Sequence, residues 1–376
     1  MQTQGLSLVP VEVKYTRSRS DDDVLSRLGN LLTMAQQPPM ADEELEALAS
    51  ALQQQILNDL PIRCGISFHW NGTQEEAERV CFQLQVQSAL LRHQSPWLDF
   101  TSLKSIVFHK DYEQGLRDAS ARVGRDIIPT REPGGLSLAM LVHAVDGCEL
   151  IADVGIALGL LSPDVAHSDV SVSTLRHELC HVDDFHRKKR LWENEWLKEH
   201  MKGVRATFFP IAESLWSEYY ANRVSDSPPA GAYLTGEEDM LARAMRDATQ
   251  EVETAISAFR VSHDIGGLTL LASRKVSFVA LSMGYVLGRY AARGLYAPRT
   301  TDLREALRAS GLEDAFQGTM AELDRLFHKR DSWTSAEDLA ELERIWLRVM
   351  CGFGLRFEEI SPGRVYIHVP YSKPRQ

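Results

Sequence analysis

Cysteine is scarce in this 376-residue chain: five residues, Cys64, Cys81, Cys148, Cys180 and Cys351, scattered and odd in number. None pairs as C-x-x-C, which excludes a cysteine zinc ribbon and a thioredoxin-type redox motif, and the density is far too low for a disulfide scaffold. Positive charge is outnumbered, 41 Lys and Arg against 52 Asp and Glu, for a net charge of −11. That balance opposes nucleic acid as the main partner and opposes an anionic membrane surface. No run of about 18 uninterrupted apolar residues occurs, so no membrane-spanning helix is expected. The opening Met1-Gln-Thr-Gln-Gly-Leu has neither the basic nor the apolar region of a secretory leader. These absences lead to the expectation of a cytoplasmic protein with reduced thiols. A P-loop, a G-x-G-x-x-G fingerprint and a G-x-S-x-G elbow are also missing, which removes the commonest nucleotide and serine-hydrolase signatures.

What is present suits a folded, multi-module chain: 44% hydrophobic and 25% charged residues, with no internal repeat or low-complexity tract. Four segments are expected. Residues 1–60 read as an N-terminal helical segment, with a short strand at 11–15 and helices near 24–34 and 42–57. Residues 61–235 form a mixed α/β module, 236–350 a helical domain, and 351–376 a C-terminal β-hairpin around Ser361-Pro362-Gly363.

Within the mixed module, 65–70 alternates as a strand and stops at Asn71-Gly72. Thr73 and Glu76 then make a capping box for a helix to about 93. A strand at 103–109, a helix at 112–123, a loop at 127–135 and a hairpin turning at Asp146-Gly147 follow. Beyond Pro163 the pattern is helical: 174–190, 211–224, 236–262, 273–293, 302–309, 314–327 and 335–350. Ser282, Gly284 and Gly288 form a small-residue face within 273–293, a sign of close helix packing.

One motif carries chemistry: His177-Glu178-Leu179-Cys180-His181, an H-E-x-x-H. Two residues four apart on a helix differ by about 40° around its axis, so both imidazoles point to one side and can share a Zn²⁺ ion. The glutamate between them can take a proton from a water on that metal. Ser173 reads as the N-cap, which places the motif inside a helix. Leu175, Leu179 and Val182 lie about 140–200° from His177, so one side faces a core and the opposite side carries His177, His181 and Asp184.

A catalytic zinc takes three protein ligands and keeps one position open. Asp184 and Arg187 stand where the metzincin extension needs glycine and histidine, so that class is excluded. His186 falls on the apolar side. His200, Glu193, Glu195 and Glu199 lie in a polar stretch that reads as solvated. Glu218, inside Trp216-Ser217-Glu218-Tyr219-Tyr220-Ala221-Asn222-Arg223, is the leading third ligand, and Glu213 is the alternative, about 140° away on the same wheel.

An H-E-x-x-H followed by a helix with a ligand glutamate resembles the zincin metallopeptidases of gluzincin type. Glu218-x-x-Ala221-Asn222 is similar to the downstream motif of ImmA/IrrE-type peptidases, cytoplasmic enzymes some of which cleave transcriptional repressors. The resemblance spans about residues 103–225, with Cys180 at a position often held by glycine in that family.

It implies an α+β fold: a zincin-like catalytic core, made of a small mixed sheet and the H-E-x-x-H helix, with a largely α-helical C-terminal half. The function it implies is a zinc-dependent metallopeptidase acting on a protein or peptide substrate through a metal-activated water. His177, His181 and Glu218 would hold the metal, and Glu178 would be general base. Asp184 and Asn222 would orient the ligands. Tyr219, Tyr220, Arg223 and His263 are candidate oxyanion donors. Two alternatives remain open: a non-catalytic zincin-like protein with a structural metal, and a metal-dependent hydrolase of a non-peptide bond.

Overall fold

The computed structural model describes residues 11–13, 61–124, 138–192, 202–226 and 231–371. The helices expected at 24–34 and 42–57, the loop at 127–135 and the polar stretch with His200 lie outside these residues. The described chain is α+β, about 68% helical with a small mixed sheet. Its contacts group it into two compact units, one ending at His186 and the other starting at Arg187, whereas the sequence suggested divisions at 60, 235 and 350.

The first unit is built on a five-stranded sheet. Its strands are β1 (Val11–Val13), β2 (Gly65–His69), β3 (Leu103–His109), β4 (Ala139–His143) and β5 (Cys148–Asp153), in the spatial order β1-β2-β3-β5-β4. The central β2, β3 and β5 run parallel, and β1 and β4 close the edges antiparallel. Parallel neighbours need crossover connections, and helix α1 (Gln74–Gln94) supplies the one from β2 to β3. Both halves of the Thr73–Glu76 capping box form at its start. Helix α2 (Tyr112–Val123) starts from Asp111, whose Oδ1 accepts the Gln114 amide, and ends at Gly124 in the left-handed conformation. Its Leu116 and Ala119 bury against Val142 and Ile151. On β3, Ile106 and Phe108 alternate with Val107, the residue packed toward α2, so they serve the opposite face.

The β4–β5 hairpin turns at Asp146-Gly147 as expected. Asp153 then caps a short helix, α3 (Val154–Leu160), through the Gly155 amide. Helix α4 (Val165–Leu191) follows and carries the H-E-x-x-H motif. It begins nine residues before the expected start. Asp164 accepts the amides of Ala166 and Ser168, so it does the capping, and Ser173 is an interior helical residue.

The second unit is helical with one hairpin. Its helices are α5 (Arg205–Ser225), α6 (Gly231–Ser262), α7 (Ile265–Ala292), α8 (Thr301–Ser310), α9 (Glu313–Lys329) and α10 (Ala340–Gly352). Strands β6 (Arg356–Ser361) and β7 (Arg364–His368) form the terminal two-stranded sheet. The sequence starts α5 after Pro210, but the helix runs through the proline from Arg205. Pro210 removes one main-chain donor and crowds the carbonyl four residues back, a local cost that the buried face of Phe208, Phe209, Ile211 and Leu215 offsets.

Helices α6 and α7 meet at His263-Asp264. His263 takes a left-handed φ of 58°, and Asp264 caps α7 through Gly267, which is why α7 begins eight residues before the expected Ser273. By length and composition α7 is apolar enough to cross a membrane, although it contains no uninterrupted apolar run of about 18 residues, and half of its most apolar window is buried. Packing against both α5 and α6 accounts for that composition.

Candidate metal centre

Helix α4 presents the motif as its wheel requires. Leu175, Leu179, Cys180 and Val182 are all buried, and His177 and His181 are partly exposed on another side. Burying Leu179 alone stabilises this placement by about 1.5–3 kcal/mol. Within the first unit the helix is pinned at four points. Asp183 Oδ1 accepts the Asp99 amide at 2.7 Å, and the Ser102 hydroxyl meets His186 Nδ1 at 2.7 Å. Arg176 donates to Gln94, and Phe185 stacks on His143 with ring centroids 4.4 Å apart. His186 is thus engaged by Ser102 and by Asp99 at 3.3 Å, consistent with its expected place away from the ligands.

The two motif histidines converge. His177 Nε2 and His181 Nε2 are 2.9 Å apart, and the rings meet nearly edge to face, with an interplanar angle of 85°. Glu178, on the same turn, is buried. The two imidazoles belong to the first unit, and Glu218, the expected third ligand, belongs to α5 of the second. With bonds of 2.0–2.1 Å, a tetrahedral zinc separates its ligand atoms by about 3.3 Å. The imidazole pair is near that spacing, and two imidazoles with a carboxylate are a donor set that zinc accepts. The residues fit the metal.

Glu218 stands on α5, a helix with an aromatic core face. Trp216, Tyr219 and Tyr220 are among the largest fully buried side chains, and Trp216 packs on Trp333 with centroids 4.6 Å apart. Glu213, the alternative ligand, forms an ion pair with Lys188. Arg187, next to that lysine, pairs with Asp331 at 2.7 Å, so both of these cations serve intramolecular ion pairs.

The expected supporting residues are placed unequally. Asp184 is buried. Asn222 is fully buried, but its Nδ2 donates to the main-chain carbonyl of Glu218 at 2.9 Å rather than to the carboxylate. Among the oxyanion candidates, the Tyr219 hydroxyl accepts from Arg223, and burial pushes its pKa up to about 12. Arg223 pairs with Asp324 at 2.7 Å and lies 3.8 Å from the Phe327 ring centroid. Tyr220 packs beside Trp216 and Phe327. His263 is exposed in the α6–α7 turn. Tyr219 and Arg223 therefore have clear packing roles. Cys180 is fully enclosed, which drives its thiol pKa far upward and leaves it a small apolar filler.

No family model, no curated protein and no solved structure matches this chain.

Proposed function

We propose that the chain is a zinc-dependent metallopeptidase of gluzincin-type arrangement, hydrolysing a protein or peptide substrate. The observation that carries this reading is the approach of His177 Nε2 and His181 Nε2 to 2.9 Å from successive turns of one buried-backed helix. His177, His181 and Glu218 would hold the ion, and Glu178 would act as general base.

Bound zinc supplies Lewis acidity, polarising a substrate carbonyl and lowering the pKa of water. Glu178 accepts a proton from the attacking water as its oxygen adds to the scissile carbonyl carbon. It then hands that proton to the amide nitrogen as the C–N bond breaks, giving one carboxylic acid and one amine. Packing of Leu175, Leu179 and Val182 into the core fixes the direction in which all three motif side chains leave α4.

Elemental analysis of the purified protein is expected to show about one zinc per chain. The His177→Ala/His181→Ala double variant should lose it. Glu178→Gln should retain zinc and abolish cleavage of a quenched fluorescent peptide library. Metal-free protein whose Glu218→Ala variant has unaltered zinc affinity would overturn the site. Full activity in Glu178→Gln would overturn the mechanism while leaving the metal in place.

A further inference from the structure

Gly284 and Gly288 lie one turn apart inside α7, where helical backbone makes no demand for glycine. Their surroundings do. A Cβ at 284 would stand 2.8 Å from the Leu215 main-chain oxygen and 2.9 Å from Glu218 Cβ. A Cβ at 288 would stand 2.6 Å from the Tyr219 main-chain oxygen and 2.7 Å from Asn222 Cβ. Those atoms are backbone or the first side-chain carbon, so none can swing aside. The two glycines therefore bring the α7 backbone against the turn of α5 that carries Glu218.

Asn222 closes the same turn. Its Nδ2 bond to the Glu218 carbonyl fixes the orientation of the amide, since the reverse would set two acceptors against each other. Asn222 Oδ1 is then buried with no hydrogen-bond partner among the described residues. An unsatisfied buried acceptor costs about 1–3 kcal/mol, a penalty that alanine would avoid in a purely structural position. The carboxylate on this turn is the one that the metallopeptidase reading assigns to the metal.

We propose that Gly284, Gly288 and Asn222 are positioning residues for Glu218, holding its main chain so that the carboxylate meets the metal preorganised. The proposal rests on the metallopeptidase reading, from which Glu218 takes its role. The glycines act by removing bulk, and Asn222 acts by fastening the carbonyl one turn back.

Zinc affinity, measured on full-length apoprotein by competition with a chromophoric chelator, tests this alongside the apoprotein's unfolding temperature. Gly284→Ala and Asn222→Ala are each expected to weaken zinc binding by about tenfold or more, the loss typical when a ligand's supporting partner is removed. Asn222→Ser should recover most of the loss, because a serine hydroxyl can bond to the carbonyl four residues back. In a Glu218→Ala background neither substitution should change zinc affinity further.

Equal losses with and without Glu218 would show a general structural effect and overturn the proposal. So would native affinity in folded Gly284→Ala and Asn222→Ala. If Gly284→Ala does not fold, Asn222→Ala, which adds no atoms, decides the matter by the same criteria. Wild-type protein that takes up no zinc overturns the metallopeptidase reading, and the positioning role with it. Wild-type affinity with insensitive variants overturns only the latter.

Discussion

Single residues differ in how openly they declare themselves. His177 and His181 were legible because a spacing of four on a helix is a geometric statement, and their nitrogens do meet at 2.9 Å. The partner of Glu213 was hidden, since Lys188 reaches it from 25 positions away. Another pair, equally hidden, has a consequence for pH. His69 ends β2, His109 ends β3, and register places them side by side with ring centroids 4.9 Å apart. Burial lowers the pKa of His69, the neighbouring His109 adds to that, Asp118 opposes it and Arg122 reinforces it. His109 Nδ1 also accepts the Asp111 amide at 3.0 Å. The sign follows from linkage. With a folded pKa below the ordinary 6.5, the unfolded chain takes up the proton first. Stability is unaffected by His69 above that value and falls as pH drops from it until folded His69 is also protonated. His69→Gln should therefore lose less stability than wild type between pH 7.5 and about 5.5, read from urea midpoints. Equal losses would show that His69 does not contribute.

Elements were legible in kind more than in extent. The capping box at Thr73, the end of α2 at Gly124 and the β4–β5 turn announce themselves through local chemistry, and all form. The start of α4 does not, because Ser173 and Asp164 are both competent caps and tertiary packing chooses between them. The chosen start adds a face that packs on α3. A Cβ at Gly159 would meet the Ser171 side chain, with Ser171 Cβ at 2.9 Å and His167 Cδ2 at 3.1 Å. Ser171 is fully buried, and its hydroxyl has no hydrogen-bond partner among the described residues. Gly159→Ala should therefore destabilise the first unit by about 1–3 kcal/mol through overpacking. Ser171→Ala alone should be close to neutral, since it removes an unsatisfied hydroxyl. The double variant should recover part of the loss, with a coupling of about 0.5 kcal/mol or more in a denaturation cycle. Strict additivity would show that α3 and α4 have room that this close approach denies. The small-residue face of α7 teaches the complementary lesson: its spacing signalled close packing, and only the fold shows that the partner is the turn of Glu218.

For the molecule as a whole, composition set the class and left the organisation open. An acidic chain with few cysteines could have folded many ways, and no Pro/Gly-rich stretch marks the division after His186, which falls inside a continuous helix. Long-range ion pairs were equally invisible, because they join helices far apart in sequence. The most consequential lies in the second unit. Arg289 on α7 donates to Asp226 at 2.9 Å and to both oxygens of Glu237 on α6, and Arg293 holds the other oxygen of Asp226 at 2.7 Å. Arg289 and Asp226 are both almost fully withdrawn from water. Removing one member of such a network leaves uncompensated buried charge, and that costs about 3–5 kcal/mol, whereas replacing several members with apolar groups is often neutral. Arg289→Met is thus expected to destabilise the second unit by about that amount, and Arg289→Met/Glu237→Leu by distinctly less. Hydrogen exchange locates the effect. Amides of α5, α6 and α7 should lose protection in the single variant, while those of β2 and β3 keep theirs, because the first unit has its own core around Phe68, Ile106 and Phe108. Loss of protection in both units at once would mean that the two unfold as a single cooperative body, and the network would then bear on the stability of the α4 histidines as well.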